Sequence, residues 1–444
     1  MIEISPEILT ILMLGGVLVT VLLGYPIAFA IGSLTLIVGY LTFGDMTFHL
    51  IYTRLYNLIQ SYTFLAVPLF VFMGVMLEHS GIAEKMYGAL HLWLGGLRGG
   101  LAISTVLIGT ILAACVGIIG ASVTMLSLLA LPSMVKRGYS KSLASGSICA
   151  GGCLGILIPP SIMLVVYGPM ANISVGKLFM GAIIPGLLLA GLYITYVAFR
   201  CLCQPKMAPV VPAEERAIPL VQKTAMLTSS LLPPAILILA VLGSIFFGIA
   251  PPTEAAAIGA FATIILAIAY RKFSLKILRE TMVHTVKVAS MILLIGGMAI
   301  SFSSIFLSCG CGDVIENLIL STPGGRWGAF IAIMAMLFLL GFAVDWKGIV
   351  FIMVPIITPI GAALGFDPLW FAIMVCINLQ MSFMTPPFAL AIFYFRASAA
   401  PELGVTMGDV IRGVFPFVGL ILFGLGLCIA FPELILWLPS LMIK

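Results

Sequence analysis

Two short segments in each half of this chain carry residue types suited to holding a hard cation beside a small anion. In the first half they are Gly117-Ile118-Ile119-Gly120-Ala121-Ser122-Val123-Thr124 and Ala150-Gly151-Gly152-Cys153-Leu154-Gly155. In the second half they are Val344-Asp345-Trp346-Lys347-Gly348 and Gln380-Met381-Ser382-Phe383-Met384-Thr385. Glycine permits close backbone approach and unusual dihedrals, and the serines and threonines add hydroxyl oxygens. Ligation by carbonyl and hydroxyl oxygens suits sodium better than a transition metal. At an interrupted helix, freed carbonyls face a cation and freed N–H groups at half-helix ends meet an anion. The candidate sodium ligands are Gly117, Gly120, Ser122, Gly152, Gly155, Val344, Gly348, Met381, Ser382 and Thr385. The candidate substrate contacts are Ala121, Thr124, Pro159, Asp345, Lys347 and Gln380. Ser122 and Thr124 are equally compatible with bonding back to their own helix carbonyls. Asp345 and Lys347 either neutralise each other beside a watery cleft, or Lys347 receives a substrate carboxylate.

The elements that position these segments repeat. Gly32, Pro132, Pro159 and Pro160 recur at one fixed offset as Gly259, Pro359, Pro386 and Pro387. Helix-breaking residues at equivalent places in two apolar halves point to a secondary transporter with its site between the repeats. Leu101 to Val135 is interrupted by Gly117 and Gly120, leaving arms of roughly 15 residues that reach about 23 Å. That is short of a hydrocarbon core of about 30 Å, so the segment reads as a re-entrant hairpin. Trp327 to Gly361, breaking around Val344 to Gly348, is its counterpart. The helix after each hairpin is broken too, at Gly151 to Gly155 with Pro159-Pro160, and around Asn378 to Pro387.

Hydrophobic residues make up 62% of the chain and charged residues 8%, against about a quarter charged in a soluble domain. The fold class is therefore an all-α polytopic membrane protein with two inverted-topology repeats, about ten transmembrane helices and two hairpins. The first repeat covers 1–200, with scaffold helices in 1–97, hairpin and broken helix in 98–170, and a helix at 175–200. A linker follows at 201–223. The second repeat covers 224–444, with scaffold in 224–320, hairpin and broken helix in 324–395, and a helix at 408–432. Basic residues orient it: Arg200, Lys206, Arg216 and Lys223 place the linker in the cytoplasm, as do Arg271, Lys272, Lys276 and Arg279 for a second loop. Both termini then lie outside. The opening residues read as the start of a retained span rather than a cleaved signal.

Nine cysteines and four histidines (His49, His79, His91, His284) are scattered without a four-ligand zinc pattern. No nucleophile–base constellation marks an enzyme, no cofactor motif appears, and no phosphate-binding glycine–lysine loop marks an ATP-driven pump. Glu254 opens a helix, where a carboxylate meets the helix dipole favourably. Nothing in the composition calls for a nucleic-acid partner.

Gly155-Ile156-Leu157-Ile158-Pro159-Pro160-Ser161, the Gly117–Thr124 tip and Asn378 through Phe388 resemble the large membrane subunit of tripartite ATP-independent periplasmic (TRAP) transporters. Asp345-Trp346 and Asp367-Pro368-Leu369-Trp370 extend the likeness over essentially the whole chain. Lys347 departs from it, standing where an aliphatic residue is expected. The resemblance implies a sodium-driven, elevator-type importer of an organic acid in the bacterial inner membrane. Hairpins and broken helices would form a mobile unit with two sodium sites, and the remaining helices a scaffold. It also implies two partners, a periplasmic binding protein docking outside and a separate small subunit of four helices. The rival within transport is a stand-alone divalent-anion/sodium symporter, whose tips would carry Ser-Asn-Thr-like triads.

Overall fold

A computed structural model describes residues 4–212, 214 and 218–442, the side chains of 113–116 excepted; Cys115 and the linker's Arg216 lie outside what is described. Among the described residues every regular element is a helix. Eight helices among the described residues are long and apolar enough to cross a bilayer. Two of these, Ile119–Lys136 and Trp346–Ala363, are second arms of hairpins whose first arms are Gly100–Val116 and Gly325–Leu340. Joined by Pro6–Leu22, Ile27–Phe43 and two broken helices, the other six complete the ten spans and two hairpins read from the sequence.

The repeats interlock in the scaffold. Ile27–Phe43 of the first repeat packs on Leu275–Ser308 of the second, and Pro252–Ala269 packs on Ala66–His79. At the two glycines that anchor the sequence repeat, a β-carbon on Gly32 would come 2.9 Å from the Met298 sulfur, and one on Gly259 would come 2.7 Å from that of Met73. Each half thus supplies a small residue to admit a methionine from the other.

The second unit holds the hairpins and broken helices, and it is larger than the resemblance implied. Val175–Cys203 and Met407–Ala430 pack on it rather than on the scaffold. Gly146 and Gly413 bring two helix backbones into direct contact, Gly424 receives Leu189, and Trp370 Nε1 donates to the Cys428 carbonyl at 3.0 Å. Helices follow small residues here because only they allow such approach. The interface between the units is largely apolar, with a few long polar contacts, among them Ser104 Oγ to Leu90 O at 3.3 Å and Arg137 to the His91 ring at 3.5 Å. Gly296 lies under the Phe351 ring, which packs against Phe64 at 6.3 Å between centroids. The Ser303 hydroxyl reaches the Phe351 carbonyl only at 3.4 Å.

The linker is shorter than the sequence suggested, because the flanking helices continue to Cys203 and resume at Leu220. Its first part touches both units, with Ser140 N of the hairpin unit donating to Met207 O at 2.8 Å and Val211 N donating at 2.9 Å to the carbonyl of Gly95, which ends the scaffold helix Ile82–Leu94. On the same face Lys141 donates to Gly404 O and Arg396 to Val405 O, each at 2.6 Å. Loops rich in Lys and Arg are thereby gathered at one end.

Glycine at this packing surface has a measurable consequence. A β-carbon on Gly413 would collide with the Ser142 carbonyl, whereas Gly419 in the same helix has open space. Overpacking costs about 1–3 kcal/mol, while alanine gains about 1 kcal/mol over glycine in a helix. Gly413→Ala should therefore lower the thermal midpoint of the purified protein and Gly419→Ala should hold or raise it, read by fluorescence-detected size exclusion after heating. Equal midpoints would argue against this packing.

Candidate substrate and sodium site

The first hairpin turns at Gly117-Ile118 alone, since the second arm already begins at Ile119. Gly117 has φ +63°, a conformation glycine adopts freely, and a β-carbon there would sit 3.4–3.5 Å from Ile162 N and Pro160 O. The tip therefore lies against the first broken helix. That helix runs Lys141–Cys153, tightens to a 3₁₀ turn at Leu154–Ile156 and resumes at Ile162–Ala171. Gly151 and Gly152 are thus not in the break, as the sequence suggested, but in regular helix. They are small for packing: Gly151 faces the backbone of Gly109, and Gly152 presses on Val123. Gly155 remains in the break, and Ser161 Oγ donates to Ile156 O across it. In both breaks the Pro–Pro peptide, Pro159-Pro160 and Pro386-Pro387, is cis.

The second break is also displaced. Pro368–Ser382 is continuous helix, and the unwound stretch runs from Phe383 to Ala389 before Leu390–Ser398. Asn378 and Gln380 are therefore helical; Asn378 Nδ2 donates to Met334 O at 2.9 Å and fastens the helix to the hairpin. Ser382 Oγ donates to Leu379 O at 2.8 Å and Thr385 Oγ to Met381 O at 2.7 Å. These are back-bonds to their own helix, yet each hydroxyl keeps oxygen lone pairs for a cation. Ser122 differs. It is fully buried, and among the described residues no hydrogen-bond partner meets its Oγ or the buried Nε2 of Gln380.

A cavity of about 410 Å³ joins the two hairpin tips. Gly117, Gly120, Ala121 and Thr124 line it from the first tip, and Asp345, Trp346 and Lys347 from the second. Asp345 caps the arm that starts at Trp346, accepting from Trp346 N at 2.7 Å, and its other oxygen holds the Lys347 ammonium. Both charged side chains are mostly buried, at 15% and 20% exposure for Lys347 and Asp345. The pair is formed, as one of the two sequence readings expected, and both residues also line the cavity. A carboxylate entering there meets an ammonium that is already desolvated in part, where charge attraction is less screened than in water.

Val344 and Gly348 do not line this cavity. They face a separate apolar pocket with Leu14, Val17 and Met336, and Gly348 abuts Ile27. Starting the helix at Trp346 turns Lys347 toward the tips and the next residue away. Pro159, Gly152, Gly155, Gln380, Met381, Ser382 and Thr385 do not line this cavity; they lie in or beside the breaks. The cavity's far wall was missed from the sequence. Glu78, His284, Val288, Met291 and Ile292 come from the scaffold, while Leu390 and Tyr394 follow the second break. The available signal was that Glu78 is an acid at the end of a membrane span.

The buried, unpartnered Ser122 hydroxyl beside a left-handed glycine turn fits a sodium ion. If sodium binds there, it raises the thermal midpoint relative to choline by mass action, and Ser122→Ala shrinks that rise. An undiminished sodium-dependent rise in Ser122→Ala would count against the ligand assignment.

The family model described as tripartite ATP-independent periplasmic transporter, DctM component, matches residues 14–434. The C4-dicarboxylate TRAP transporter large permease protein DctM of Vibrio cholerae is 32% identical, covering 98% of this chain and 97% of the relative. The sialic acid TRAP transporter large permease protein SiaM of the same organism is 30% identical over 86% and 87% of the two chains. Among solved structures, the YdaH transporter of Alcanivorax borkumensis shares the fold, with a TM-score of 0.62 at 16% identity, covering 96% of this chain and 98% of that one. A multi-pass helical chain matched from one end of its fold to the other in this way belongs to the DctM family of TRAP transporter large permease subunits.

Proposed function

We propose that this chain imports a small organic acid across the bacterial inner membrane, coupled to sodium, by moving its hairpin unit against the scaffold. The observation that carries the reading is the cavity. It is bounded on one side by both hairpin tips and on the other by scaffold residues, so relative motion of the two units would carry its contents. Carbonyls at the breaks and the Ser122 and Thr385 hydroxyls supply sodium ligands. Lys347 and the N-terminal end of its helix supply positive charge for a carboxylate. Ala121 and Thr124 of the first tip would contact the remainder of the substrate.

The apolar interface favours a sliding unit. A few weak polar contacts, such as Ser303 to Phe351, break and reform at little cost compared with charge-assisted bonds. The basic loops at one end support a cytoplasmic linker by the positive-inside rule, with both termini at the opposite face. The partners follow from the family, a small membrane subunit against the scaffold and a periplasmic binding protein on the outer face. Relatives named for C4-dicarboxylates and sialic acid support a carboxylate-bearing substrate, since both compounds carry that group.

In proteoliposomes holding this chain with its small subunit, a labelled acid presented by the binding protein should accumulate only under an inward sodium gradient. Thr385→Ala and Gly152→Leu should insert normally and lose uptake, the first by removing a ligand oxygen and the second by forcing the tip away through Val123. Uptake by wild type without the binding protein would favour a stand-alone symporter. Normal sodium-dependent uptake by both variants would refute the site.

A further inference from the structure

The scaffold helix Leu275–Ser308 has a second feature that the tip cavity does not account for. Lys276, Arg279, His284 and Lys287 recur at spacings of three to five residues, which keeps them on one side of a helix. Together with Glu280 and Val283 they border a groove of about 370 Å³. His284 borders both this groove and the tip cavity, and the cavity wall continues up the same helix through Val288 and Met291. The rest of the helix circumference is different in kind. Thr281, Thr285 and Ala289 are buried, and Leu275, Met282 and Val286 are exposed and apolar. The basic side is therefore set apart from the packed side, and along one edge Arg279 and Lys287 meet the exposed apolar residues Leu275, Met282 and Val286.

We propose that this basic face is an exit track, along which an organic anion released by Lys347 leaves the tip cavity past His284 and Lys287 to Arg279 and Lys276. This rests on the tip cavity being the substrate site. From Ile292 to Lys276 the helix rises about 24 Å, so the track spans the distance from the cavity to the end of the helix. Opposing charge is light. Glu280 lies 4.0 Å from Lys276 in an exposed pair, which is worth little, and Glu78 stands at the cavity's edge. A groove lined by one sign of charge concentrates counter-ions and speeds their passage. The same cations could instead bind anionic lipid headgroups, and the experiment separates the two.

Val288→Cys in a Cys203→Ser background, with the small subunit in phosphatidylcholine nanodiscs, places a thiol on the wall between track and tips. Its reaction rate with a sulfonate-bearing methanethiosulfonate, divided by that with a trimethylammonium-bearing one, is compared with the same ratio for a free thiol. The track predicts a ratio raised roughly tenfold, collapsing toward the free-thiol value in K276Q/R279Q/K287Q and at high salt. An unraised ratio, or one that survives the triple substitution, overturns it. So does a ratio abolished by adding phosphatidylglycerol, which would assign the face to lipid. Uptake completes the test. The triple variant should turn over several-fold more slowly at unchanged half-saturating sodium, and unchanged turnover contradicts the track. Absence of sodium-driven uptake in the wild type would instead remove the transport reading itself, whatever the labelling shows.

Discussion

Backbone polar groups cannot be left unpaired in hydrocarbon, and the rest of this structure follows from that constraint. Unwound chain at membrane depth survives only where it is packed in protein or faces a cavity. The four interruptions, at Gly117, Leu154–Ser161, Gly341–Asp345 and Phe383–Ala389, satisfy it by collecting in one unit. Some groups are re-paired locally, as when Ala391 N reaches back to Phe383 O at 3.0 Å. Asp345 supplies a cap at one helix start. Ser122 is left over, buried and unpaired, and that remainder is what a cation can use.

Packing then decides what can move. Within the hairpin unit, helices meet backbone to backbone at Gly146 and Gly413, and polar bonds from Trp370 and Asn378 tie the parts together. Between the units, aromatic and aliphatic surfaces meet small residues, and the polar contacts are long: Ser303 Oγ to Phe351 O, Ser104 Oγ to Leu90 O, and Arg137 to the His91 ring at 3.5 Å. A close-packed interior resists deformation, whereas a smooth apolar boundary has little to lose by a shift in register. The cavity lies on that boundary, so its two walls are held by bodies of different rigidity.

Much of this architecture was legible in the residues, and the errors have a common cause. The fixed offset linking Gly32 and Pro159-Pro160 to Gly259 and Pro386-Pro387 reported the repeat correctly, because broken helices need the same residues in both halves. Glycine, however, answers two demands, chain interruption and close packing. Gly151 and Gly152 were read as the first and serve the second against Gly109 and Val123. Val344 and Gly348 were assigned to the site from proximity in sequence, but both border an apolar pocket, Val344 from the interruption and Gly348 from the helix that starts at Trp346. Glu78 and His284 were invisible as a pair, since they are far apart in sequence and meet only when the scaffold closes one side of the cavity. Val175–Cys203 carries no sequence mark of which unit it joins; tertiary contacts alone decide that.

The central claim is that the hairpin unit moves as a body past the scaffold. Spin labels on Glu402→Cys and Lys272→Cys report across the boundary, and labels on Glu402→Cys and Lys136→Cys report within the moving unit; all three positions are charged residues outside the packed core. With the small subunit present, the account predicts that sodium and substrate change the first distance distribution and leave the second unchanged. A first distribution that stays fixed while uptake proceeds, or a second that changes with it, would contradict rigid movement of the unit.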